Sequence, residues 1–405
     1  MEKSTTVTSE KKVSSNCIND DLSVNILSKL PLKSLKRFGC VCKSWAPLFE
    51  NPHFMSTFRS DFISNHQSLY NDTSLLLQVT GREFHILSDD NELENTVNLP
   101  NPFQQEDLFF NILGSGSITG ILCLHRYEGG PIVFWNPSVQ EFKVIPPSPG
   151  ESVPRYQLFL TVINGFGYDH VRDDYKLIKH LYYTSPSSRD YEDLGLHDVP
   201  WREVLDCESL WEIYSLRTNS WKKLDMDVYF EGISYNFSAH SSLCGQLLFL
   251  DGKCHWWHYV HLSDAELALE SFDLISEVLC TTLVPLDIHF VAGAPHLVEL
   301  SGFIALISWI YSSTPTFDIS ILGEIGVKES WIKLFIVGPL SCIHKLVGSG
   351  KNADIFFIQE DGEIVCLNLS TQIIEELDVK GDHYRQVGQV LMYKENFLSI
   401  ERINH

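Results

Sequence analysis

Residues 212–224 read Glu212-Ile-Tyr-Ser-Leu-Arg-Thr-Asn-Ser-Trp-Lys-Lys-Leu224, which is a β-branched and aromatic run, a polar turn and a second short run. This pattern predicts two β-strands joined by a tight turn. Similar units recur along the chain, with their turns near residues 88, 136, 217, 274, 325 and 369. Because one small sheet cannot bury its own faces, six such units favour closure into a ring. The sequence therefore predicts an all-β propeller with six blades over residues 74–400.

Two segments depart from this repeat. Residues 184–204 are rich in Ser, Pro and acidic residues, and they predict a loop inserted into the third unit. Residues 387–400 form one further β-like stretch after the sixth unit. We expect a strand from this stretch to complete the first unit and so close the ring.

The first sixty residues have a helical rather than a β pattern. Residues 1–17 are rich in Ser, Thr and Lys and are predicted to be a disordered tail. Leu22, Ile26 and Leu30 recur at intervals of four, which predicts an amphipathic helix that ends at Pro31. A second apolar pattern indicates two further short helices, and its members are Leu35, Phe38, Cys42, Trp45 and Phe49. A linking helix is expected to follow Pro52. The predicted fold class is thus α+β multidomain, with a small helical domain at residues 18–62 ahead of the propeller.

The charge of the chain is uneven. The whole chain holds 30 Lys and Arg against 52 Asp and Glu, for a net charge of −22, which argues against a nucleic-acid partner. The first 60 residues hold 9 basic and 5 acidic residues, whereas the remainder holds 21 and 47. A basic head on an acidic body suggests that the head docks an acidic partner.

The apolar segments and the cysteines bear on cellular location. The first residues contain no apolar signal segment, and the longest apolar stretch, 300–311, is interrupted by Ser and Gly and is too short for a bilayer. The ten cysteines contain no C-x-x-C pair. We therefore expect a soluble cytoplasmic or nuclear protein with no membrane partner, and neither a metal site nor a cofactor.

Several residue groups imitate functional sites. His255, His258 and His261 suggest a metal cluster, but on a strand His258 faces away from the other two, so a strand end is the better interpretation. The tryptophans between these histidines are also compatible with a recognition surface. The glycine-rich run 114–120 lacks the Gly-Lys-Ser/Thr ending of a phosphate loop and is interpreted as a turn between two blades.

The acidic residues near position 170 invite a catalytic interpretation. Asp169, Asp173 and Asp174 could in principle form a carboxylate pair for hydrolysis, but the stretch has the composition of a turn. The sequence also lacks the Gly-x-Ser-x-Gly elbow of a serine hydrolase. No catalytic residues are predicted.

The helical head resembles an F-box. The resemblance rests on Asp21-Leu22, on Ile26-Leu-Ser-Lys-Leu-Pro-Leu-Lys-Ser-Leu-Lys-Arg-Phe38, on Val41-Cys-Lys-Ser-Trp45 and on Asn51-Pro52. The body resembles the F-box-associated, kelch-like propeller domain of plant F-box proteins. Its marks are Gly120-Ile-Leu-Cys-Leu124, Trp135-Asn-Pro-Ser138, Phe166-Gly-Tyr-Asp169 with Asp174-Tyr-Lys176, the stretch from Ile213 to Trp221, Gly252-x-x-His255-Trp256, Ser271-Phe-Asp-Leu274 and Tyr393-Lys-Glu-Asn396.

This resemblance implies an adaptor rather than a catalyst. In such proteins the F-box docks the Skp adaptor of a cullin–RING ubiquitin ligase, and the C-terminal domain holds the protein to be ubiquitinated. The residues implied in contact with Skp are Ile18, Leu22, Leu30, Pro31, Leu32, Leu35 and Val41, with Trp45 holding the helices together. Two alternatives stay open: a propeller hydrolase or carbohydrate-binding protein with a helical cap, and an F-box protein that binds Skp without ligase activity.

Overall fold

The chain divides into two compact units, Met1–Asp61 and Phe62–His405. The computed structural model describes the following residues: 26–27, 30, 51, 54, 57, 74–78, 83–87, 93–98, 110–114, 116–126, 130–151, 158–184, 210–226, 247–261, 266–285, 288, 295–310, 315–340, 342–350, 353–380, 389–396 and 399–400.

The described part of the second unit consists almost entirely of β-strands, grouped into six antiparallel sets of four that we call blades. Blade 1 combines the last strand with the first three: β24 (Gln389–Tyr393), β1 (Ser74–Gln78), β2 (Glu83–Leu87) and β3 (Leu93–Asn98). Blade 2 contains β4 (Phe110–Ile112), β5 (Leu122–Arg126), β6 (Ile132–Asn136) and β7 (Glu141–Val144). Blade 3 contains β8 (Leu158–Asp169), β9 (Asp174–Thr184), β10 (Leu210–Ser215) and β11 (Ser220–Leu224).

The remaining blades follow the same order. Blade 4 contains β12 (Leu247–Leu250), β13 (Lys253–His261), β14 (Glu266–Asp273) and β15 (Leu279–Leu283). Blade 5 contains β16 (His296–Leu300), β17 (Phe303–Ile310), β18 (Thr316–Leu322) and β19 (Trp331–Val337). Blade 6 contains β20 (Ile343–Ser349), β21 (Asp354–Gln359), β22 (Glu363–Asn368) and β23 (Ile373–Lys380). Short 3₁₀ turns occur at Pro149–Glu151 and Lys328–Ser330.

The turn between the third and fourth strands has the same local chemistry in several blades. The Oδ1 atoms of Asn136, Asp273 and Asn368 each accept the amide N–H two residues later, at 3.1, 2.9 and 3.0 Å. Four residues after the start of this turn the backbone is left-handed, as at Gln140 (φ 56°), Asn219 (48°), Glu277 (57°) and Gln372 (58°). Short polar side chains stabilise such turns because they replace a backbone acceptor. All six predicted turns fall between third and fourth strands, so the predicted repeat is confirmed.

The turn between the first and second strands is tighter. In blade 4 it consists of Asp251 and Gly252, whose φ angles are 51° and 74°. Two successive residues with positive φ define the type I′ turn, whose twist matches that of the flanking strands and which favours Asp-Gly. Gly252 is therefore required here by the backbone conformation.

The ring is closed by its last strand. β24 pairs antiparallel with β1 over five residues, from Ser74 opposite Tyr393 to Gln78 opposite Gln389. On its other side β24 meets β20 through the single parallel pair Gly348 and Val390. A Cβ on residue 348 would overlap the Val390 carbonyl oxygen, so this approach requires glycine. The prediction that a C-terminal strand completes the first unit is confirmed, and the propeller-like architecture with it.

The core lies in the seams between neighbouring blades, where aromatic rings meet. The ring pairs, given with their centroid distances in order round the ring from the seam of blades 1 and 2, are Phe84–Trp135 at 5.7 Å, Phe134–Phe166 at 4.7 Å, Trp211–Trp256 at 5.8 Å, Trp257–Trp331 at 6.4 Å and Phe317–Phe357 at 4.9 Å. The seam of blades 6 and 1 is aliphatic around the fully buried Phe356. Each blade thus buries its faces against its neighbours rather than within itself.

The structure tests only part of the predicted helical domain. Ile26, Leu27, Phe54 and Thr57 have helical backbone. The predicted tail at 1–17, most of the predicted short helices and residues 185–204 of the predicted insertion lie outside the described residues.

Candidate functional site

The residues described near the first predicted helix expose apolar surface. Ile26 is 50% exposed, whereas Leu27 is buried and Leu30 is half-buried. The N–H of Leu30 donates to the carbonyl of Leu27 at 3.1 Å. Among the predicted Skp-binding residues only Leu30 is described. The others, Ile18, Leu22, Pro31, Leu32, Leu35, Val41 and Trp45, lie outside the described residues.

The predicted linking helix begins with a capping contact. The side-chain Oδ1 of Asn51 accepts the N–H of Phe54 at 3.2 Å, which satisfies an amide that has no partner within the first helical turn. Phe54 itself is fully buried. Phe54 and Thr57 have helical backbone, and the rest of the predicted linking helix lies outside the described residues.

The two faces of the ring differ in their connections. In an antiparallel meander the first-to-second and third-to-fourth turns lie at one end of the strands, which we call the short-turn face. The other connections lie at the opposite end, the long-connection face. Three of these connections contain residues 99–109, 185–209 and 227–246, which lie outside the described residues. β1 begins at the short-turn end of its blade, because it runs antiparallel to β24, which occupies the first-strand position.

Two of the quoted motifs meet on the short-turn face. Asn136, which is fully buried, donates its Nδ2–H to the carbonyl of Asn396 at 2.8 Å. The hydroxyls of Ser138 and Tyr393 lie 2.6 Å apart, and the N–H of Asn396 donates to Ser138 Oγ at 3.3 Å. The Trp135-Asn-Pro-Ser138 and Tyr393-Lys-Glu-Asn396 motifs therefore bind the chain end to blade 2 and close the ring.

The glycine-rich run takes part in the same closure. The N–H of Ser117 donates to the carbonyl of Met392 at 2.8 Å, and the N–H of Lys394 donates to Ser117 Oγ at 3.0 Å. The run lies between β4 and β5, so the prediction that it joins two blades is wrong: it connects two strands of blade 2. Glycine-rich composition indicates a turn but does not show which strands it joins.

Asp169 forms the centre of a buried ionic network. Its Oδ2 accepts from Lys176 Nζ and from Arg172 Nη1, both at 2.8 Å, and its Oδ1 accepts the backbone N–H groups of Val171 and Arg172. Lys176 also donates to the carbonyl of Leu274 at 2.7 Å, which ties blade 3 to blade 4. Burial alone would raise the pKa of Asp169, but the hydrogen bonds from Lys176 and Arg172 lower it to about 2.

Asp174 also serves the fold. Its Oδ2 accepts the hydroxyl of Ser215 at 2.6 Å, and its Oδ1 accepts the N–H of Arg217 at 2.8 Å, which fixes the next turn of blade 3. The hydroxyl of Tyr168 donates to Asp173. These three carboxylates are therefore bound within a turn network, as their turn-like composition predicted, and the motif residues Asp169, Asp174 and Lys176 have a structural role.

The histidines of β13 point to opposite faces of the sheet. His255 Nδ1 lies 2.8 Å from Ser271 Oγ, and burial lowers the pKa of His255 to about 4. His258 Nδ1 lies 3.2 Å from Glu270 Oε1 on the other face. Within the described ranges no three His, Cys, Asp or Glu side chains are grouped as a metal site requires.

The tryptophans of β13 pack inside the ring. Trp256 is 3% exposed and contacts Trp211, while Trp257 packs against Trp331 in the next seam. The alternative interpretation of this stretch as a recognition surface is therefore wrong, because both indoles are used in packing between blades.

A small cavity of about 80 Å³ lies among the inner strands. Its walls are mostly glycine backbone and apolar side chains, and Glu299 is the carboxylate among the residues that line it: Leu113, Gly114, Gly116, Ser117, Ile118, Gly165, Phe166, Leu247, Leu248, Phe249, Glu299 and Met392. Five blades contribute to this lining, so the cavity lies on the axis of the ring.

Family comparisons agree with both units. A model of the F-box associated beta propeller domain matches residues 78–395, and a model of the F-box domain matches residues 16–57. The chain belongs to the F-box proteins. As an F-box protein with an associated propeller domain, it combines the two regions whose motifs are described above. No helix in the described part of this F-box protein is long and apolar enough to cross a membrane.

Relatives of this F-box protein occur in Arabidopsis thaliana. F-box protein At4g19940 is 24% identical over 91% of this chain and 87% of its own length. F-box/WD-40 repeat-containing protein 1 is 25% identical over 85% and 75%, and F-box protein CPR1 is 23% identical over 89% and 84%. The chain spans 63% and 65% of the lengths of two other Arabidopsis F-box relatives, which are 28% and 25% identical to it.

Proposed function

We propose that this protein is the substrate-recognition subunit of a Skp–cullin–F-box ubiquitin ligase. The observation that carries the proposal is that one chain contains an F-box match at 16–57 and a propeller-domain match at 78–395. In this role the protein is an adaptor without catalytic residues, and it acts in the cytoplasm or the nucleus.

Its mechanism is an increase in effective concentration. The helical domain, residues 18–62, binds the Skp adaptor and through it the cullin and RING subunits. The propeller, residues 74–400, binds the target protein. Tethering turns the encounter between target lysines and the ubiquitin-loaded enzyme into an intramolecular event, which is favoured at millimolar effective concentration.

The Skp-binding surface in this proposal is the apolar ridge of the helical domain. It consists of Ile18, Leu22, Leu30, Pro31, Leu32, Leu35 and Val41, with Trp45 holding the helices together. Two described observations support it: Ile26 leaves half of its side chain exposed and Leu30 is only half-buried. Apolar side chains exposed together on a small domain favour burial against a partner. The basic excess of the first 60 residues suits an acidic Skp adaptor.

The test is co-purification with a Skp-family adaptor. The double substitution Leu30→Ala/Pro31→Ala removes the centre of the ridge and should lower Skp affinity at least about tenfold, because each buried apolar anchor of an interface contributes more than about 1 kcal/mol. The matched control is Ile336→Ala, which shortens a 62% exposed isoleucine of β19 in the other unit. The control should bind Skp like the parent protein.

Two results would decide against the proposal. Unchanged Skp binding by the double variant, with the β domain still folded, would remove the proposed docking surface. Assembly with Skp, cullin and RING subunits that never transfers ubiquitin to any lysine of the bound complex would favour the alternative of a Skp-binding protein without ligase activity.

A further inference from the structure

The outer strand of blade 6 is exposed on both faces. β23 lies at the end of its sheet and, among the described strands, pairs only with β22. Ile373 is 55% and Ile374 is 42% exposed, and Glu375 and Glu376 are also exposed. Successive side chains of a strand point to opposite faces. Each face of β23 therefore presents one isoleucine followed by one glutamate.

Two other outer strands, β11 and β19, carry lysine in mid-strand, whereas the lysine of β23 is Lys380 at its end. On β11 the exposed residues include Lys222 and Lys223, and on β19 Lys333 pairs with Asp318 at 2.6 Å. Lysine on an edge strand discourages further strands because its charge and length oppose close pairing. In β23 the four exposed residues from Ile373 to Glu376 contain no lysine and no proline. No described strand pairs with their outer backbone edge, so that edge can accept an additional strand.

The charge of this edge selects the kind of partner. Within the described part of the chain neither Glu375 nor Glu376 forms an ion pair. A second copy of β23 would supply no basic residue opposite Glu375 or Glu376. In a parallel register its glutamates would face those of the first copy, and in the antiparallel register that pairs residue 373 with 376 each glutamate would face an isoleucine, so neither arrangement forms an opposite-charge pair. A strand with basic residues opposite the glutamates and apolar residues opposite the isoleucines would form favourable cross-strand pairs on both faces.

We propose that β23 binds an extended segment of the ubiquitination target as one more antiparallel strand, and that this segment carries two basic residues followed by two β-branched residues. The order is reversed relative to Ile373-Ile-Glu-Glu376 because the added strand runs in the opposite direction. Main-chain hydrogen bonds supply affinity, and the paired side chains supply specificity. The inference rests on the proposed function, which requires the propeller to hold a target.

The first experiment uses two fluorescent peptides with the full-length protein. One is Thr-Lys-Lys-Val-Val-Thr and the other is Thr-Glu-Glu-Val-Val-Thr, which differs only in charge. The basic peptide should raise fluorescence anisotropy below about 1 mM and slow hydrogen exchange of the amides at residues 373–377, and the acidic peptide should do neither. Absence of binding by the basic peptide, or protection elsewhere on the ring, overturns the proposal.

Three variants sharpen the test. Glu375→Lys/Glu376→Lys should exchange the preference, so that the acidic peptide binds and the basic one does not. Ile373→Thr/Ile374→Thr should weaken binding of the basic peptide by about tenfold, because the apolar cross-strand pairs are lost. Ile336→Thr, an equally exposed isoleucine on β19, is the matched control and should bind like the parent protein. An unchanged preference in the charge-reversed variant, or equal loss in the control, overturns the proposal.

Skp co-purification of the same variants separates the two proposals. If the β23 variants and the parent protein all retain Skp but none binds the peptide, the strand-docking proposal fails and the ligase role stands. If Leu30→Ala/Pro31→Ala still binds Skp, the proposed Skp-docking surface is wrong. If peptide binding in the same experiments changes in the β23 variants as predicted, the β23 edge is nevertheless a peptide-binding site.

Discussion

Asp169→Asn tests whether the buried ionic network holds the propeller together. The substitution keeps the shape of the side chain and one oxygen for the amides of Val171 and Arg172, but it removes the charge beside Lys176. Removing one member of a buried ion pair costs about 3–5 kcal/mol, because the other charge stays buried without compensation. Lys176 keeps its 2.7 Å hydrogen bond to the Leu274 carbonyl, so we expect about 3 kcal/mol.

The measurement is chemical unfolding of the β domain, followed by tryptophan fluorescence. Lys176→Met alone should also destabilise, whereas Asp169→Asn combined with Lys176→Met should recover part of the loss, since the double variant leaves neither buried charge without its partner. If Asp169→Asn costs less than about 1 kcal/mol, or if the two losses simply add, the network is not coupled in the way its geometry indicates.

The same network predicts a pH dependence. The pKa of Asp169 falls from its ordinary 3.8 to about 2, so its ionised form is favoured in the folded state. A group with a lowered pKa stabilises the fold above its ordinary pKa and loses that contribution as the pH falls through the folded value. The parent protein should therefore lose about 2 kcal/mol between pH about 4 and pH about 2. Asp169→Asn should lack this loss, and an identical acid profile in both proteins would contradict the assigned pKa.

Three further predictions concern closure, reactivity and the chain end. Gly348→Ala should destabilise the ring by more than Gly252→Ala, because a Cβ at 348 overlaps the Val390 carbonyl, whereas the space at 252 is open and only its φ of 74° is strained. Unfolding midpoints of the two variants measure the difference, and equal losses of stability would contradict the close approach of Gly348 to β24. In the native protein a thiol reagent should label the exposed Cys342 while Cys123 and Cys254 stay unmodified, since burial raises the pKa of both thiols. Mass spectrometry of the labelled peptides measures the order of labelling, and faster labelling of Cys123 or Cys254 than of Cys342 would contradict the prediction. Gln389→Ala should lower the free energy of unfolding by about 2 kcal/mol, because the Gln389 side-chain amide exchanges two hydrogen bonds of 3.1 Å with the backbone of Ile112. A loss no larger than that of an exposed control such as Gln372→Ala would show that these two hydrogen bonds do not stabilise the fold.

The strands and turns of the ring could be predicted from the sequence because their causes are local. Asn136, Asp273 and Asn368 accept hydrogen bonds from residues only two positions away, so each turn carries its own signature. The predicted turn positions consequently fall in the right connections of all six blades.

Contacts between distant residues could not be read in this way. The seam formed by Asn136 and Asn396, or by Gln389 and Ile112, depends on how the whole ring closes, and no periodicity encodes it. The glycine-rich run was assigned to the wrong connection for this reason. Exposure is equally non-local: the helical spacing places Leu22, Ile26 and Leu30 on one face but does not show that half of the Ile26 side chain is exposed. The open edge of β23 also depends on what the neighbouring blades leave uncovered.

Blade 1 is assembled from both ends of the β domain, and this has a consequence for biosynthesis. β1 is among the first strands to leave the ribosome, but its inner neighbour β24 is translated more than three hundred residues later. At about 5–20 residues per second, Leu75 and Leu77 wait tens of seconds for the strand that covers them. A nascent chain therefore exposes one unpaired edge of β1 for most of its synthesis, and a nonsense codon before Gln389 would leave that edge open permanently.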